Sequence, residues 1–210
     1  MTRRSGGLVM TACGLAVSFV IGGCTPEGPA DGDAEPQTES GGANGPVETA
    51  DAPPVELKVV SGRAEYDAVI ESHQGKAVLV DFWATWCVPC VQNVPRTVEL
   101  HREHSEDGLA VVSVSMDEPR INADLEEETT EQLQARVREI LTEHEARFTN
   151  LLVRPQEGQD AYAELEIKGG QLPHFKLYGR DGELIQAFGG DGQPVDHAEV
   201  EAAVEAALVR

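Results

Sequence analysis

Apolar positions from residue 57 onward follow two different spacings. Short apolar segments of strand length lie at 57–60, 77–83, 109–115, 149–153, 175–178 and 183–188. Between them, the helical spacing of apolar residues predicts helices at 64–73, 88–104, 130–146, 160–167 and 198–209. The segment 77–83 is apolar enough to be buried on both faces of a sheet. Strands that alternate with helices in this way predict an α/β fold.

Three local signals mark the ends of these elements. Thr129 followed by Gln132 fits a capping box at the start of the helix 130–146. Asp196 followed by Glu199 offers a variant of the same motif at the start of the last helix. The sequence Gly179-Arg180-Asp181-Gly182 separates the last two strands and predicts a hairpin turn.

The first 23 residues have the pattern of an export signal. Arg3 and Arg4 precede a mostly apolar run of 14 residues, 8–21, which is shorter than the ~20 residues that a membrane-spanning helix needs. The next residues, Ile21-Gly22-Gly23-Cys24, resemble a bacterial lipobox. In such signals the chain is cut before the cysteine, and the cysteine carries a lipid. We expect residues 1–23 to be a lipoprotein signal peptide and Cys24 to be lipidated, with ordinary cleavage or an uncleaved anchor as the alternative.

Residues 24–56 differ in composition from the rest of the chain. From Thr25 to Glu56, six residues are proline, five are glycine, eight are acidic and none is basic. No hydrophobic period is present, so the segment is typical of a disordered, extended tether. The folded domain is therefore expected at 57–210. A domain of that length buries enough surface to need no disulfide staple.

Composition excludes some classes of function. The formal net charge of −21 argues against a nucleic-acid binder, because such a chain cannot neutralise a phosphate backbone. The four cysteines are too few for a disulfide-framework protein. Cys13 falls in the expected signal peptide, and Cys24 is the expected site of the lipid. The other two form the motif on which the functional argument depends.

That motif is Cys87-Val88-Pro89-Cys90, separated by three residues from the predicted strand 77–83 and lying at the start of the predicted helix 88–104. A Cys-x-x-Cys pair can be half of a zinc site, a haem attachment point or a redox dithiol. Zinc would have to take its other ligands from histidines or carboxylates. Covalent haem needs a histidine after the second cysteine, and Val91 stands there. A strand that leads into a helix N-terminus favours the redox dithiol.

The physical reason is electrostatic. The thiolate is the reactive form of cysteine, and the unpaired N–H groups and dipole at a helix N-terminus stabilise it. Cys87 is therefore expected to be the exposed nucleophile and Cys90, one turn further on, the resolving thiol. Pro89 would lie in the first helical turn, where its missing N–H costs little. An inert, reduced pair packed in a core is the structural alternative.

The segment from Val80 to Cys90 resembles the active-site stretch of thioredoxin-fold proteins, and its Trp-Cys-Val-Pro-Cys form is most similar to the TlpA-like family of membrane-tethered thiol–disulfide oxidoreductases. The resemblance implies an α/β thioredoxin fold, with a central mixed β-sheet flanked by helices and a TlpA-like helix–strand insertion at about 130–153. Further matches are a buried acid (Asp81), a proline within the active-site helix (Pro95), a cis-proline (Leu172-Pro173) and a glycine pair near the partner groove (Gly189-Gly190).

The resemblance also implies a function. Cys87 and Cys90 would exchange a disulfide with client proteins, and Asp81 would act as the base for Cys90. No metal or organic cofactor is implied. A membrane thiol–disulfide electron donor would keep the pair reduced, and the clients would be apocytochromes, as in cytochrome c maturation, or copper-site proteins. The domain would face the periplasm or another extracytoplasmic space, with a lipid on Cys24.

The substrate groove would be lined by Trp86, Pro89, Leu172, Pro173 and His174. His174 departs from the family, which usually has threonine after the proline. As a protonated imidazole it could stabilise the Cys87 thiolate or sense pH. The alternative is that His174 faces away from the dithiol.

Two rival functions stay open. A thiol peroxidase would need threonine and arginine beside a lone reactive cysteine. Thr85 precedes Cys87 by two residues, but no matching arginine is near. A copper chaperone or non-catalytic metal-binding module would use the two cysteines, and His174, as ligands.

Overall fold

The computed structural model describes residues 55–190, 192 and 194–209. The predicted signal peptide, Cys24 and the tether up to residue 54 lie outside the described residues. Within the described part of the chain, no helix has both the length and the apolar character to cross a bilayer.

The elements follow the sequence pattern closely. The strands are β1 (Lys58–Val60), β2 (Ala77–Trp83), β3 (Leu109–Ser115), β4 (Thr149–Val153), β5 (His174–Tyr178) and β6 (Leu184–Phe188). The α-helices are α1 (Arg63–Ser72), α2 (Val88–His104), α3 (Thr130–Glu143), α4 (Ala161–Glu164) and α5 (His197–Leu208). The predicted helix 160–167 is shorter than expected, because Glu166 has a φ of 51° and the chain continues as a 3₁₀ turn at Lys168–Gly170.

The six strands form one mixed sheet in the order β1-β4-β3-β2-β5-β6. β2 pairs in parallel with β3 and antiparallel with β5, and β5 pairs antiparallel with β6. All seven residues of β2 are buried, as the apolar run predicts for a strand covered on both faces. The α/β fold with a mixed sheet is therefore confirmed. β2 is an inner strand, so its end, which leads into the cysteine motif, lies near the middle of the sheet.

Helices cover both faces of the sheet. On one face Tyr66 of α1 packs with Val80 and Phe82 in a single apolar cluster. On the other face α2 and α5 cover the sheet, with Leu79 and Val204 in one cluster. The helix α3 packs beside α2, because Leu133 and Val137 share a cluster with both cysteines of the motif.

β5 itself carries a buried lysine. Lys176 is 3% exposed, and its Nζ donates a hydrogen bond to the carbonyl oxygen of Leu165 at 2.6 Å. The same Nζ lies 5.7 Å from the centre of the Phe82 ring. Burial lowers the pKa of Lys176, since the charged amine loses its hydration there.

The predicted capping box is present at the start of α3 and incomplete at the start of α5. The Thr129 side chain accepts from the Gln132 N–H, and the Gln132 side chain accepts from the Thr129 N–H, so the capping box of α3 is complete. Asp196 caps α5 through the Ala198 N–H, but Glu199 accepts from Gln186 of β6 at 2.8 Å instead of closing the box. The predicted hairpin joins β5 and β6.

The folded region begins before residue 57. Val55 is 6% exposed and belongs to the apolar cluster that contains Cys87 and Cys90. The carbonyl oxygen of Glu56 accepts a hydrogen bond from Asn150 at 3.3 Å. Two residues that the composition assigned to the tether are thus part of the packed domain.

Candidate active site

The cysteine motif lies where β2 turns into α2. The turn Ala84–Thr85–Trp86 follows the last residue of β2, and the Cys87 N–H donates to the Ala84 carbonyl oxygen at 3.0 Å. Cys87 is the N-cap residue of α2 and Pro89 lies in its first turn. Cys87 and Cys90 are joined by a disulfide, with their Cα atoms 5.2 Å apart. The arrangement is the one that the helix-terminus argument requires for a redox dithiol.

Both cysteines are more enclosed than the sequence predicts. Cys87 is 5% exposed and Cys90 1%, and both pack with Trp83 in one cluster. The prediction that Cys87 is an exposed nucleophile is therefore wrong for the disulfide form, in which each sulfur is turned toward the other. Cys87 is still the more accessible of the two. Trp83 is 1% exposed, whereas Trp86 is 56% exposed, so the two tryptophans have different roles.

Asp81 lies under the helix that carries the dithiol. It is 3% exposed, and its carboxylate accepts a hydrogen bond from Thr97 Oγ1 at 2.8 Å. Thr97 follows Cys90 by seven residues, two helical turns, so both lie on the same side of α2. Burial raises the pKa of Asp81 from 3.8 to about 7, and the bond from Thr97 opposes that rise. A carboxyl group with such a pKa can take up or release a proton at neutral pH.

A groove of about 640 Å³ runs beside the motif. Leu172-Pro173 is a cis peptide bond, as predicted. The groove is lined by Trp86, Pro89, Leu172 and Pro173, and by Gly190 of the glycine pair that was expected near it. It is also lined by residues that the sequence did not indicate: Asn93, Gly170, Gln171, Gly192, Pro194, Val195 and His197. The Gly189-Gly190 pair was the one signal for the segment before α5.

His174 does not line the groove. Its side chain is fully buried, and its ring packs against Phe82, with 5.8 Å between the ring centres. Successive side chains of an extended chain point to opposite sides, so the residue after Pro173 points away from the groove that Pro173 lines. Burial, together with the charge of Lys176, lowers the pKa of His174 to about 4. The imidazole is therefore neutral at pH 7, and it brings no positive charge to a Cys87 thiolate.

A polar network holds the turn before Cys87. The Asp117 carboxylate, fully buried, accepts from the Thr85 N–H at 2.8 Å and from Thr85 Oγ1 at 2.6 Å. Ser115 Oγ donates to the same carboxylate at 2.9 Å. Arg136 of α3 forms an ion pair with Asp117 at 2.6 Å. The network thus ties the end of β3 and the helix α3 to the turn that leads into the motif.

This network corrects one prediction. Arg136 donates to Thr85 Oγ1, and Arg120 donates to the same oxygen at 3.1 Å. The expectation that no arginine is near Thr85 is therefore wrong. Arg136 also pairs with Glu128 at 2.8 Å, and its hydrogen bonds lower the pKa of that carboxyl group. No local signal reveals these contacts, because Thr85 and Arg136 are 51 positions apart.

Among the residues that the structure describes, no three or more histidine, cysteine, aspartate or glutamate side chains come together as a group suited to a metal ion.

Comparison with known proteins extends these observations. The profile of the AhpC/TSA family matches residues 49–187. The thiol-disulfide oxidoreductase ResA of Oceanobacillus iheyensis is 39% identical over 67 residues, which are 31% of this chain and 35% of that protein. The thioredoxin-like protein YneN of Bacillus subtilis is 42% identical over 79 residues, 38% of this chain and 44% of that protein. The chain therefore spans less than half the length of these two relatives.

A solved structure with the same fold supports this assignment. A thiol-disulfide isomerase from Corynebacterium glutamicum superposes with a TM-score of 0.53 at 20% identity, over 77% of this chain and 99% of that one. At this identity the likeness concerns the fold alone, and it agrees with the thioredoxin-like arrangement of a mixed sheet flanked by helices.

Proposed function

The chain belongs to the AhpC/TSA family, and we propose that it is a thiol–disulfide oxidoreductase that works through Cys87 and Cys90. The observation that carries the proposal is the disulfide between these residues at the N-terminus of α2. Beside it lies a groove lined by Pro173, which is suited to an extended client segment. The name of the ResA relative supports the same chemistry.

In the proposed reaction, the Cys87 thiolate of the reduced protein attacks a client disulfide. A Cys87–client bond forms, the client S–S bond breaks, and one client sulfur leaves as a thiolate. The Cys90 thiolate then attacks the Cys87 sulfur, which releases the second client thiolate. The protein ends with the Cys87–Cys90 disulfide, and the client has gained two electrons. Asp81 takes the proton of Cys90, since its pKa of about 7 suits a base at neutral pH.

We propose the reductive direction, because the resemblance to TlpA-like proteins implies it. A membrane thiol–disulfide donor would return two electrons to the Cys87–Cys90 pair after each turnover. The clients would be extracytoplasmic proteins with reactive cysteines, such as apocytochromes or copper-site proteins. The pattern before Cys24 supports attachment to a membrane of the cell envelope through a lipid.

The redox proposal is tested by measuring the reduction potential of the pair together with insulin reduction. We expect reversible two-electron cycling in the wild type and none in Cys87→Ser. Cys90→Ser should accumulate a mixed disulfide with the client, because nothing resolves it. Wild-type protein that neither cycles nor reduces insulin contradicts the proposal.

The anchoring is tested separately. Cys24→Ser should move the protein from the membrane fraction to the soluble fraction, and the mature wild-type chain should begin at a lipid-modified Cys24. A matched Cys13→Ser variant, inside the predicted signal peptide, should leave the fractionation unchanged. Wild-type protein that is soluble and unmodified at residue 24 contradicts lipidation.

A peroxidase function has one observation in its favour, the contact of Thr85 with Arg136. The guanidinium group of Arg136 is, however, already paired with Asp117 and Glu128. Hydrogen peroxide consumption by the reduced protein, at a rate that matches client reduction, would favour the peroxidase. Copper titration of the reduced protein tests the metal-binding alternative, and stoichiometric copper binding would favour it.

A further inference from the structure

The turn between β2 and α2 is hydrogen bonded to a side chain that is distant in the sequence. Thr85 is bound to Asp117 by both its N–H and its hydroxyl, at 2.8 and 2.6 Å. Thr85 lies two residues before Cys87, and the next residue, Trp86, stands at the groove. The backbone that leads into Trp86 and Cys87 is therefore hydrogen bonded to a side chain that follows β3.

The carboxylate that holds this turn is fully buried and fully partnered. Asp117 accepts from Thr85, from Ser115 and from Arg136. A buried carboxylate is tolerated because it is paired and hydrogen bonded. Within the network, the two carboxylates of Asp117 and Glu128 are matched by the two guanidinium groups of Arg136 and Arg120.

The network joins the predicted insertion to the turn that precedes Cys87. Arg136 lies on α3, whose first turn begins at the Thr129 cap, directly after Glu128. Arg136 Nη2 also donates to the carbonyl oxygen of Glu118, at 3.2 Å, so one side chain connects α3, the segment after β3 and the Thr85 turn. An arrangement in which supporting side chains hold a reactive group is what precise positioning requires.

On this basis we propose that Asp117 and Arg136 are positioning residues for the reaction, because they hold the Thr85–Trp86 turn so that Cys87 stays aligned with the N-terminus of α2. The inference rests on the proposed redox function of Cys87. Neither residue touches the client in this scheme. Their effect on the reaction passes through the turn, which sets how well the free N–H groups of the helix stabilise the Cys87 thiolate.

The test uses two pairs of variants. Thr85→Val removes the hydroxyl and Thr85→Ser keeps it, whereas Arg136→Gln removes the guanidinium charge and Arg136→Lys keeps a charge. The control is Arg63→Gln on α1, which breaks exposed ion pairs with Asp67 and Glu166. The first measurement is the rate of Cys87 alkylation against pH in the reduced protein. The second is the rate of insulin reduction, and thermal unfolding reports whether each variant is folded.

We expect Thr85→Val and Arg136→Gln to move the midpoint of the alkylation profile to higher pH and to slow insulin reduction about tenfold, because misplaced reacting groups lose rate steeply. Thr85→Ser and Arg136→Lys should each keep most of the wild-type profile, and Arg63→Gln should not change it. If Arg136→Gln does not fold, the Thr85 pair decides, since it alters one half-buried side chain.

Folded Thr85→Val and Arg136→Gln proteins with the wild-type alkylation midpoint and rate would overturn the proposal, because the network would then be a structural clamp only. Alkylation needs no client. A wild-type protein that fails to reduce insulin would therefore count against the proposed function, while the alkylation profiles would still decide the positioning role.

Discussion

Asp81 holds a carboxyl group whose pKa burial raises to about 7 from 3.8. The folded state therefore keeps the proton to higher pH than the unfolded chain does. The contribution of this carboxyl group to the free energy of unfolding is fully present below pH 3.8, and it is lost as the pH rises through about 7. With about 1.4 kcal/mol for each tenfold step in proton affinity, the loss is at most roughly 4 kcal/mol.

We predict that Asp81→Asn removes this pH dependence. Relative to wild type, the variant should gain free energy of unfolding between pH 4 and pH 8, by a few kcal/mol. Urea denaturation of both proteins at each pH measures the difference. Asp124→Asn, which changes an exposed carboxylate, is the control and should show no such gain. A variant-to-wild-type difference that stays constant across this range would show that Asp81 does not titrate as described.

Individual residues differ in how far the sequence reveals them. The Cys87–Cys90 pair and Asp81 follow from a local motif, so their placement could be predicted. The burial of His174 was also within reach, because a residue next to Pro173 in an extended chain must face the other side. The contacts of Thr85 could not be predicted, because its partners are distant in the sequence: Asp117 is 32 residues away and Arg136 is 51 residues away.

At the scale of elements, Gly189 directly follows the end of β6 and lies against the cis-proline loop. Its φ is 79°, and a Cβ added there would lie 2.7 Å from the Pro173 carbonyl oxygen and 2.8 Å from Val195 Cγ2. Backbone and side chain on both sides of the groove would have to shift. The glycine therefore allows a close approach as well as an unusual backbone conformation.

We predict that Gly189→Ala lowers both stability and client reduction. Gly182→Ala is a matched control, since Gly182 has a φ of 82° but nothing within 4 Å of an added Cβ. Both variants carry the backbone strain of about 1 kcal/mol, but only Gly189→Ala displaces Pro173. Urea denaturation and insulin reduction separate the two effects. Equal losses of activity in both variants would mean that the contact with Pro173 does not matter.

The strands and helices themselves were largely predictable, because each buries a continuous or periodic set of apolar side chains. β2 and β3 match their predicted bounds, and so does α2. The order of the strands was not predicted, since periodicity within one segment carries no information about its neighbour. The length of α4 was overestimated, because the backbone reversal at Glu166 has no strong signal in a residue other than glycine or asparagine.

At the scale of the whole molecule, the chain as a whole is strongly acidic, whereas the lining of the groove has few ionisable side chains. The formal net charge is −21, yet among the described residues that line the groove His197 alone has a titratable side chain. The long-range field should thus influence the encounter with a client, while contacts in the groove are largely independent of charge.

We predict that reduction of a basic client protein slows as salt rises from 0.01 M to about 0.15 M, because the Debye length falls from ~30 Å to ~8 Å. Reduction of a small neutral disulfide should stay nearly constant over the same range. Second-order rate constants for the two substrates measure the contrast. An equal salt response for both would show that net charge does not steer the encounter.

Buried Lys176 gives the molecule an internal chemical reporter. Lys176 is 3% exposed and its Nζ is hydrogen bonded to the Leu165 carbonyl oxygen, so its amine should meet an acylating reagent only in molecules in which the covering of this face of the sheet has opened. Lys76 is exposed and reacts at any time. The ratio of acylation at the two lysines, read by mass spectrometry, therefore measures the free energy of opening without denaturant. Comparison of oxidised and reduced protein by this footprint would show how much the Cys87–Cys90 bond contributes to holding the sheet closed.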